Sequence, residues 1–119
     1  MGDPVTQWQI ITQDPEKHAA FYSAVFGWTI RSDNPLGYRE ANSGSPRGVL
    51  GGFWPAPPEA AAFVQLFIEV KDIASIIKKV TQQGGEVIIP LQILPNGEQM
   101  AILRDPVGIS FGVMVPAAA

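Results

Sequence analysis

Three features of this sequence predict an α+β fold in which two βαβββ modules pair their mixed sheets. The first is a long repeat: adding 58 to the residue number maps Gln7 on Gln65, Asp14 on Asp72, Gly27 on Gly85 and Ile30 on Ile88. The second is the order within each copy. A strand-like run leads through an Asp into a helix-periodic stretch that stops at glycine, and further short strand-like runs follow. The third is a proline-rich break, Pro55-Ala56-Pro57-Pro58-Glu59-Ala60-Ala61, between the copies. A single repeat of this length indicates a duplicated supersecondary unit, because solenoids need at least three stacked repeats. Two halves related by a pseudo-twofold axis are expected to share a cleft, so function is sought where equivalent positions converge.

The elements follow in chain order. The first strand is expected over 6–12. Asp14 is placed to cap a helix, with Pro15 at a position whose N–H has no helical partner and Glu16 near the positive end of the dipole. Phe21, Tyr22, Val25, Phe26 and Trp28 are expected to form the core under that helix, and Gly27 to end it. Strands over 28–32, 38–42 and 48–54 are separated by turn-rich Asp33-Asn34-Pro35-Leu36-Gly37 and Ser43-Gly44-Ser45-Pro46. After the linker at 55–62 the order repeats. A strand over 63–70 precedes Asp72, which caps a helix with Ile73, Ile76, Ile77 and Val80 at i, i+3, i+4 and i+7. Strands over 86–94 (interrupted by Pro90), 98–103 and 109–115 complete the second copy. One domain over 1–119 is expected, with modules at about 5–54 and 63–115. Gly27, Gly84, Gly85 and Gly108 read as positive-φ positions, and Asp14, Asp72 and Asp105 as caps or turn residues.

Composition excludes several function classes. A hydrophobic content of 46% is enough for a core, and a net charge of −3 with no long basic run argues against nucleic acid. The absence of cysteine removes disulfides, thiolate nucleophiles and Cys-type zinc sites. No basic-then-apolar segment opens the chain and no apolar run is long enough to span a bilayer, so a soluble cytoplasmic protein without a membrane partner is expected.

Asp14-Pro15-Glu16, Phe21-Tyr22-Ser23-Ala24-Val25-Phe26-Gly27-Trp28, Val70-Lys71-Asp72-Ile73, Gly84-Gly85-Glu86-Val87 with Pro90, and Asp105-Pro106-Val107-Gly108-Ile109-Ser110-Phe111-Gly112-Val113 occur in this order over nearly the whole chain. In these motifs the chain resembles the vicinal oxygen chelate superfamily, which contains glyoxalase, bleomycin-resistance proteins and extradiol dioxygenases. The nearest subgroup is that of small bacterial proteins related to lactoylglutathione lyase. The resemblance implies a glyoxalase-like fold and a homodimer. In metal-dependent members it also implies four ligands: His or Gln on the first strand, Glu on the fourth, His on the fifth and Glu on the eighth. Those positions fall here on Gln7, on Gly51 or Gly52, on Gln65 and on Gly112. Two neutral amides and no carboxylate make a poor set for a divalent ion, so no metal and no other cofactor is expected. His18, the only histidine, falls on the first helix and reads as a surface residue.

Other catalytic sets are absent, since no histidine is placed to activate a Ser or Thr. Glu69 shares strand parity with Gln65 and Phe67 and is the candidate general base, against a plain reading as a solvated strand end. Arg104 and Glu40 serve either as counter-charges for a ligand or as ordinary surface charges. The candidate ligand-binding cleft comprises Gln7, Gln9, Leu50, Gly52, Trp54, Gln65, Phe67, Ser110, Gly112 and Met114. An offset of 60 places Leu50, Gly52 and Trp54 opposite Ser110, Gly112 and Met114, and the two glycine strands are expected to leave room for a small, partly apolar organic molecule. Two alternatives stand beside this reading. These positions could instead pack against each other or a partner subunit. Or the protein is a lyase, isomerase or dioxygenase with Ni, Zn, Mn or Fe held by Gln7, Gln65 and Glu69.

Overall fold

The computed structural model describes residues 1–57 and 59–118, so Pro58 of the expected linker and Ala119 lie outside the described residues. The fold is α+β, in the predicted order: β1 (Val5–Thr12), α1 (Pro15–Phe26), β2 (Thr29–Arg31), β3 (Arg39–Asn42), β4 (Leu50–Pro55), β5 (Phe63–Glu69), α2 (Ile73–Gln82), β6 (Glu86–Ile93), β7 (Gln99–Arg104) and β8 (Ser110–Val115). They group into two compact units, Gln7–Gln65 and the chain from Leu66 onward together with Met1–Thr6. Among the described residues no helix is long and apolar enough to cross a membrane.

In the unit spanning Gln7–Gln65 the strands run β2-β3-β4-β1. β1 is parallel to β4, and the other pairs are antiparallel. The Asp14 carboxylate accepts from Lys17 N at 3.0 Å, and the left-handed Gly27 (φ 72°) donates its N–H to Ser23 O at 2.9 Å. Ala19, Ala41 and Phe53 form the core, with Trp8, Ile10, Tyr22, Trp28 and Ile30 packed around them. The expected stripe is corrected here. Tyr22 and Trp28 do pack on this core, but Phe21, Val25 and Phe26 are 58%, 56% and 61% exposed. A 3.6-residue period turns Ala19 and Tyr22 to the sheet and carries Phe21 and Val25 onto the outer side.

In the other unit the order is β5-β8-β7-β6, with β5 parallel to β8. Val70, Ile73, Ala101, Leu103 and Val113 are its core, and Ile68, Ile76, Ile77, Val80, Phe111 and Val115 close around them. Here the predicted helix stripe is the packed one. The left-handed residue after α2 is Gly84 (φ 89°). Gly85 has no positive φ; a Cβ there would lie 2.6 Å from Val80 Cγ1 and 2.7 Å from Arg104 O, so it serves close packing instead. Pro90 sits within β6, the edge strand, where register shifts flank Ile89. A residue with no N–H is tolerated there because the outer side of an edge strand has no ladder partner. Residues 1–6 are tied to this unit by Glu69 N donating to Pro4 O at 2.9 Å and by Thr6 Oγ1 at 3.9 Å from Met114 Sδ.

Candidate functional site

Each sheet has one face covered by its helix, and the sequence-predicted site residues fall on the opposite faces. In β1, Trp8 and Ile10 point to the α1 core, so alternation sends Gln7, Gln9 and Ile11 the other way. Their register partners on β4 are Leu50, Gly52 and Trp54. β3 adds Glu40 opposite Gly52, and β2 adds Arg31 opposite Glu40. A cross-strand row Arg31–Glu40–Gly52–Gln9 results. Gln9 is buried, and its Nε2 donates to Gln7 Oε1 at 3.3 Å. Leu50 is exposed, whereas Gln65, also in this unit, is buried.

The row is bounded by aromatic groups. A Cβ on Gly52 would collide with the Tyr38 ring and hydroxyl and with Arg39 O. Tyr38 in turn packs on Trp54, ring centroids 5.1 Å apart. At the outer end, Arg31 donates to Asp33 at 3.2 Å. That hydrogen bond is the main reason that the Asp33 carboxyl is held below its usual range and the Arg31 guanidinium above its own; Glu40 adds to the latter.

In the other unit Ile68 joins the α2 core, so Phe67 and Glu69 lie on the opposite face. Phe67 is in register with Gly112 and Glu69 with Met114, while β7 contributes Met100, Ile102 and Arg104 opposite Met114, Gly112 and Ser110. Phe67, Ile102 and Met114 form a buried cluster with Met100 packed against it. Glu69 is half-buried at the strand end, and Arg104 pairs with Glu86 at 3.3 Å.

Two expectations change. The glycines do not leave open room: Tyr38 covers Gly52, and the Phe67 ring lies on Gly112 so closely that an added Cβ would meet Cζ at 2.6 Å. Gly51 is likewise covered by the Trp8 indole. An aromatic ring has taken each space a side chain would have used. His18 is half-buried and stacks on Phe53 at 6.0 Å on the helix side of the sheet, instead of standing free on the surface. Tyr38 was not among the expected site residues. Its signal was available, because it shares parity with Glu40 at the start of a strand pairing with the glycine-rich β4.

The donors do not fit a divalent ion. Gln7, Gln9 and Gln65 offer neutral amides, Glu40 is the one carboxylate in the row, and Phe67 fills the space at Gly112. Among the described residues no group of three or more His, Cys, Asp or Glu could hold a metal. This face offers amides that both donate and accept, a packed ring pair in Tyr38 and Trp54, and a carboxylate in Glu40.

Comparison with known proteins agrees with the fold. The family model described as Glyoxalase/Bleomycin resistance protein/Dioxygenase superfamily matches residues 4–113. The chain is 28% identical over 109 residues to the "Putative glyoxylase CFP32" of Mycobacterium bovis and of Mycobacterium tuberculosis. That match covers 86% of this chain and 41% of each relative, so the chain spans about two fifths of the length of these relatives. Among solved structures, hypothetical protein BH1468 from Bacillus halodurans superposes with TM-score 0.72 at 16% identity, covering 100% of this chain and 98% of that one. A Streptomyces coelicolor methylmalonyl-CoA epimerase in complex with 2-nitronate-propionyl-CoA superposes with TM-score 0.66 at 16% identity, covering 98% and 96%. At such identities the likeness is one of fold.

Proposed function

This chain belongs to the Glyoxalase/Bleomycin resistance protein/Dioxygenase superfamily, and we propose that it is a member that binds a small, partly apolar organic molecule without a divalent metal. The observation that carries this reading is the Phe67 ring packed on Gly112, the position at which the resemblance calls for a metal-binding Glu. An apolar contact has replaced a ligand site. On the sheet of the unit spanning Gln7–Gln65, a flat apolar part of the ligand stacks on Tyr38 and Trp54. Its polar groups meet the Gln7 and Gln9 amides, and Glu40 takes a hydrogen-bond donor.

The test is a panel of one- and two-ring acids, amides and phenols, with short acyl thioesters, read by melting temperature and tryptophan emission. Zn, Ni, Mn and Fe(II) are run in parallel. A ligand at 100 times its Kd stabilises by about 2.7 kcal/mol. That shift is expected for an organic ligand, is lost in Tyr38→Ala and Gln9→Leu, and is not produced by metals. Stabilisation by metal ions with no response to any organic compound would overturn the reading.

Glu40 favours a second reading, a proton-transfer isomerase, since it places a half-buried carboxylate across Gly52 from the Gln9 amide. Incorporation of solvent deuterium next to a bound carbonyl, abolished in Glu40→Gln with binding retained, is its expected sign. Binding with no exchange removes it.

A further inference from the structure

On the helix side of its sheet, the unit spanning Gln7–Gln65 holds a cavity of about 220 Å³ lined by Trp8, Trp28, Ala41, Ser43, Gly48 and Val49. Its floor is the buried Ala41 of β3, and its mouth is the exposed loop that carries Ser43, Gly48 and Val49. Two of the chain's three tryptophans form its walls. Their ring centroids stand 5.3 Å apart and their planes are tilted by 45°, so they make two walls and not a closed stack. Both rings are held in place. Trp8 lies over Gly51, where a Cβ would collide with it, and its Nε1 donates to Val49 O at 3.2 Å. Trp28 is backed by the Tyr22 ring, 5.3 Å away and within 8° of parallel, and its carbonyl accepts from Ser23 Oγ at 2.9 Å. The duplication supplies an internal reference. The repeat offset maps Trp8 on Leu66 and Trp28 on Glu86, so the module folds without a pair of indoles at these positions.

We propose that this cavity is a further binding site, and that it takes a one-ring aromatic carboxylate. Volume decides the size of the ligand. A cavity of roughly 150 Å³ admits benzene, whereas drug-sized ligands need about 300–1,000 Å³. The space here suits a single ring with one small substituent. The walls decide its kind, because indole faces and edges pack best on another aromatic ring. The mouth decides the substituent. Ser43 Oγ accepts from Ser45 N at 3.2 Å, which leaves its O–H to donate to a ligand oxygen. Gly48 keeps that hydroxyl in position, since a Cβ there would stand 2.5 Å from Ser43 Oγ. Arg47 precedes Gly48 in the same loop and makes no ion pair among the described residues, so a cation stands beside the mouth. Glu40, next to Ala41, is sent by strand alternation to the opposite face and does not oppose an anion here. The proposal is independent of the ligand reading above, because Tyr38 and Trp54 lie on that opposite face.

Benzoate titrated at neutral pH into the isotope-labelled full chain tests it, read by the NMR signals of the indole N–H groups. The Trp54 signal is identified by its loss in Trp54→Phe. The Trp8 and Trp28 signals are expected to shift together with a Kd of about 1 mM, in keeping with a one-ring ligand, while that of Trp54 stays still. Cyclohexanecarboxylate lacks the aromatic face and benzylammonium reverses the charge, and each should bind at least about fivefold more weakly. Ser43→Ala removes the donor and should weaken benzoate about tenfold. Gly48→Val displaces the same hydroxyl from an exposed loop position and should weaken it at least as much, with the melting temperature retained. No shift of Trp8 and Trp28 at about 20 mM benzoate overturns the proposal. So does a shift of Trp54 alone, which would assign the ring to the opposite face, or wild-type affinity in either loop variant.

Discussion

Replacing Gly112 by Ala adds one methyl group where the Phe67 ring already lies on the backbone. The added Cβ would stand 2.5 Å from Phe67 Cδ2 and 2.6 Å from Cζ, far inside van der Waals contact. The ring cannot swing aside cheaply, since Phe67 is only 4% exposed and packs against Ile102 and Met114. Overpacking of this kind costs about 1–3 kcal/mol. At about 2.1 cal/mol/K per residue, the unfolding entropy of a chain this long is about 0.25 kcal/mol/K, so the melting temperature should fall by about 4–12 °C. Phe67→Ala alone should cost about 3–5 kcal/mol. In the double variant the clash disappears, so the combined loss should fall short of the sum by about 1–3 kcal/mol. Urea titration of all four proteins of this cycle measures the coupling. Additive losses, or a Gly112→Ala variant within about 0.5 kcal/mol of wild type, would mean that the space above Gly112 is free. Phe67 would then not occupy the place of a metal ligand at Gly112.

Three further outcomes follow from individual contacts. Asp14→Ala should cost about 1 kcal/mol by removing the α1 cap, and Asp72→Ala less, because its bond to Ser75 N is longer, 3.4 Å against 3.0 Å; thermal melts compare them. The Asp105 carboxylate accepts from the N–H groups of Val107, Gly108 and Ile109, and these bonds, that from Ile109 foremost, hold its carboxyl below the usual range. A depressed folded-state value means that its contribution is present above the unfolded value and is lost as pH falls through the folded one. Protection of the 107–109 amides relative to their intrinsic exchange should therefore fall only in acid below about pH 4, and Asp105→Asn should show lowered protection already at neutral pH. Pro90→Val should restore an N–H and straighten the apolar edge strand β6, and aggregation followed by light scattering should become faster; an unchanged rate would show that Pro90 does not guard this edge.

Much of the architecture was legible from local chemistry. The caps at Asp14 and Asp72 and the apolar stripe from Ile73 to Val80 each rest on interactions within a few residues, and each stands as read. The end of α2 was legible to within one residue, with the left-handed glycine at Gly84 and not at the repeat position Gly85. The family followed from the order of those motifs. The candidate residues fell on the helix-free faces because strand alternation is also local. α1 was misread for a definite reason. Phe21, Val25 and Phe26 lie on an apolar helix, and a helix apolar on two sides does not reveal by periodicity which side the sheet covers.

The sequence by itself determined the repeat, the element order and the family. These depend on residue identity and short-range spacing. Only the tertiary structure decided what fills the space above the glycines. Gly52 and Gly112 read as openings, yet Tyr38 and Phe67 occupy them, brought there by strand pairing between residues distant in the chain. An absent side chain is visible in a sequence, whereas the neighbour that moves into its place is set by register and packing.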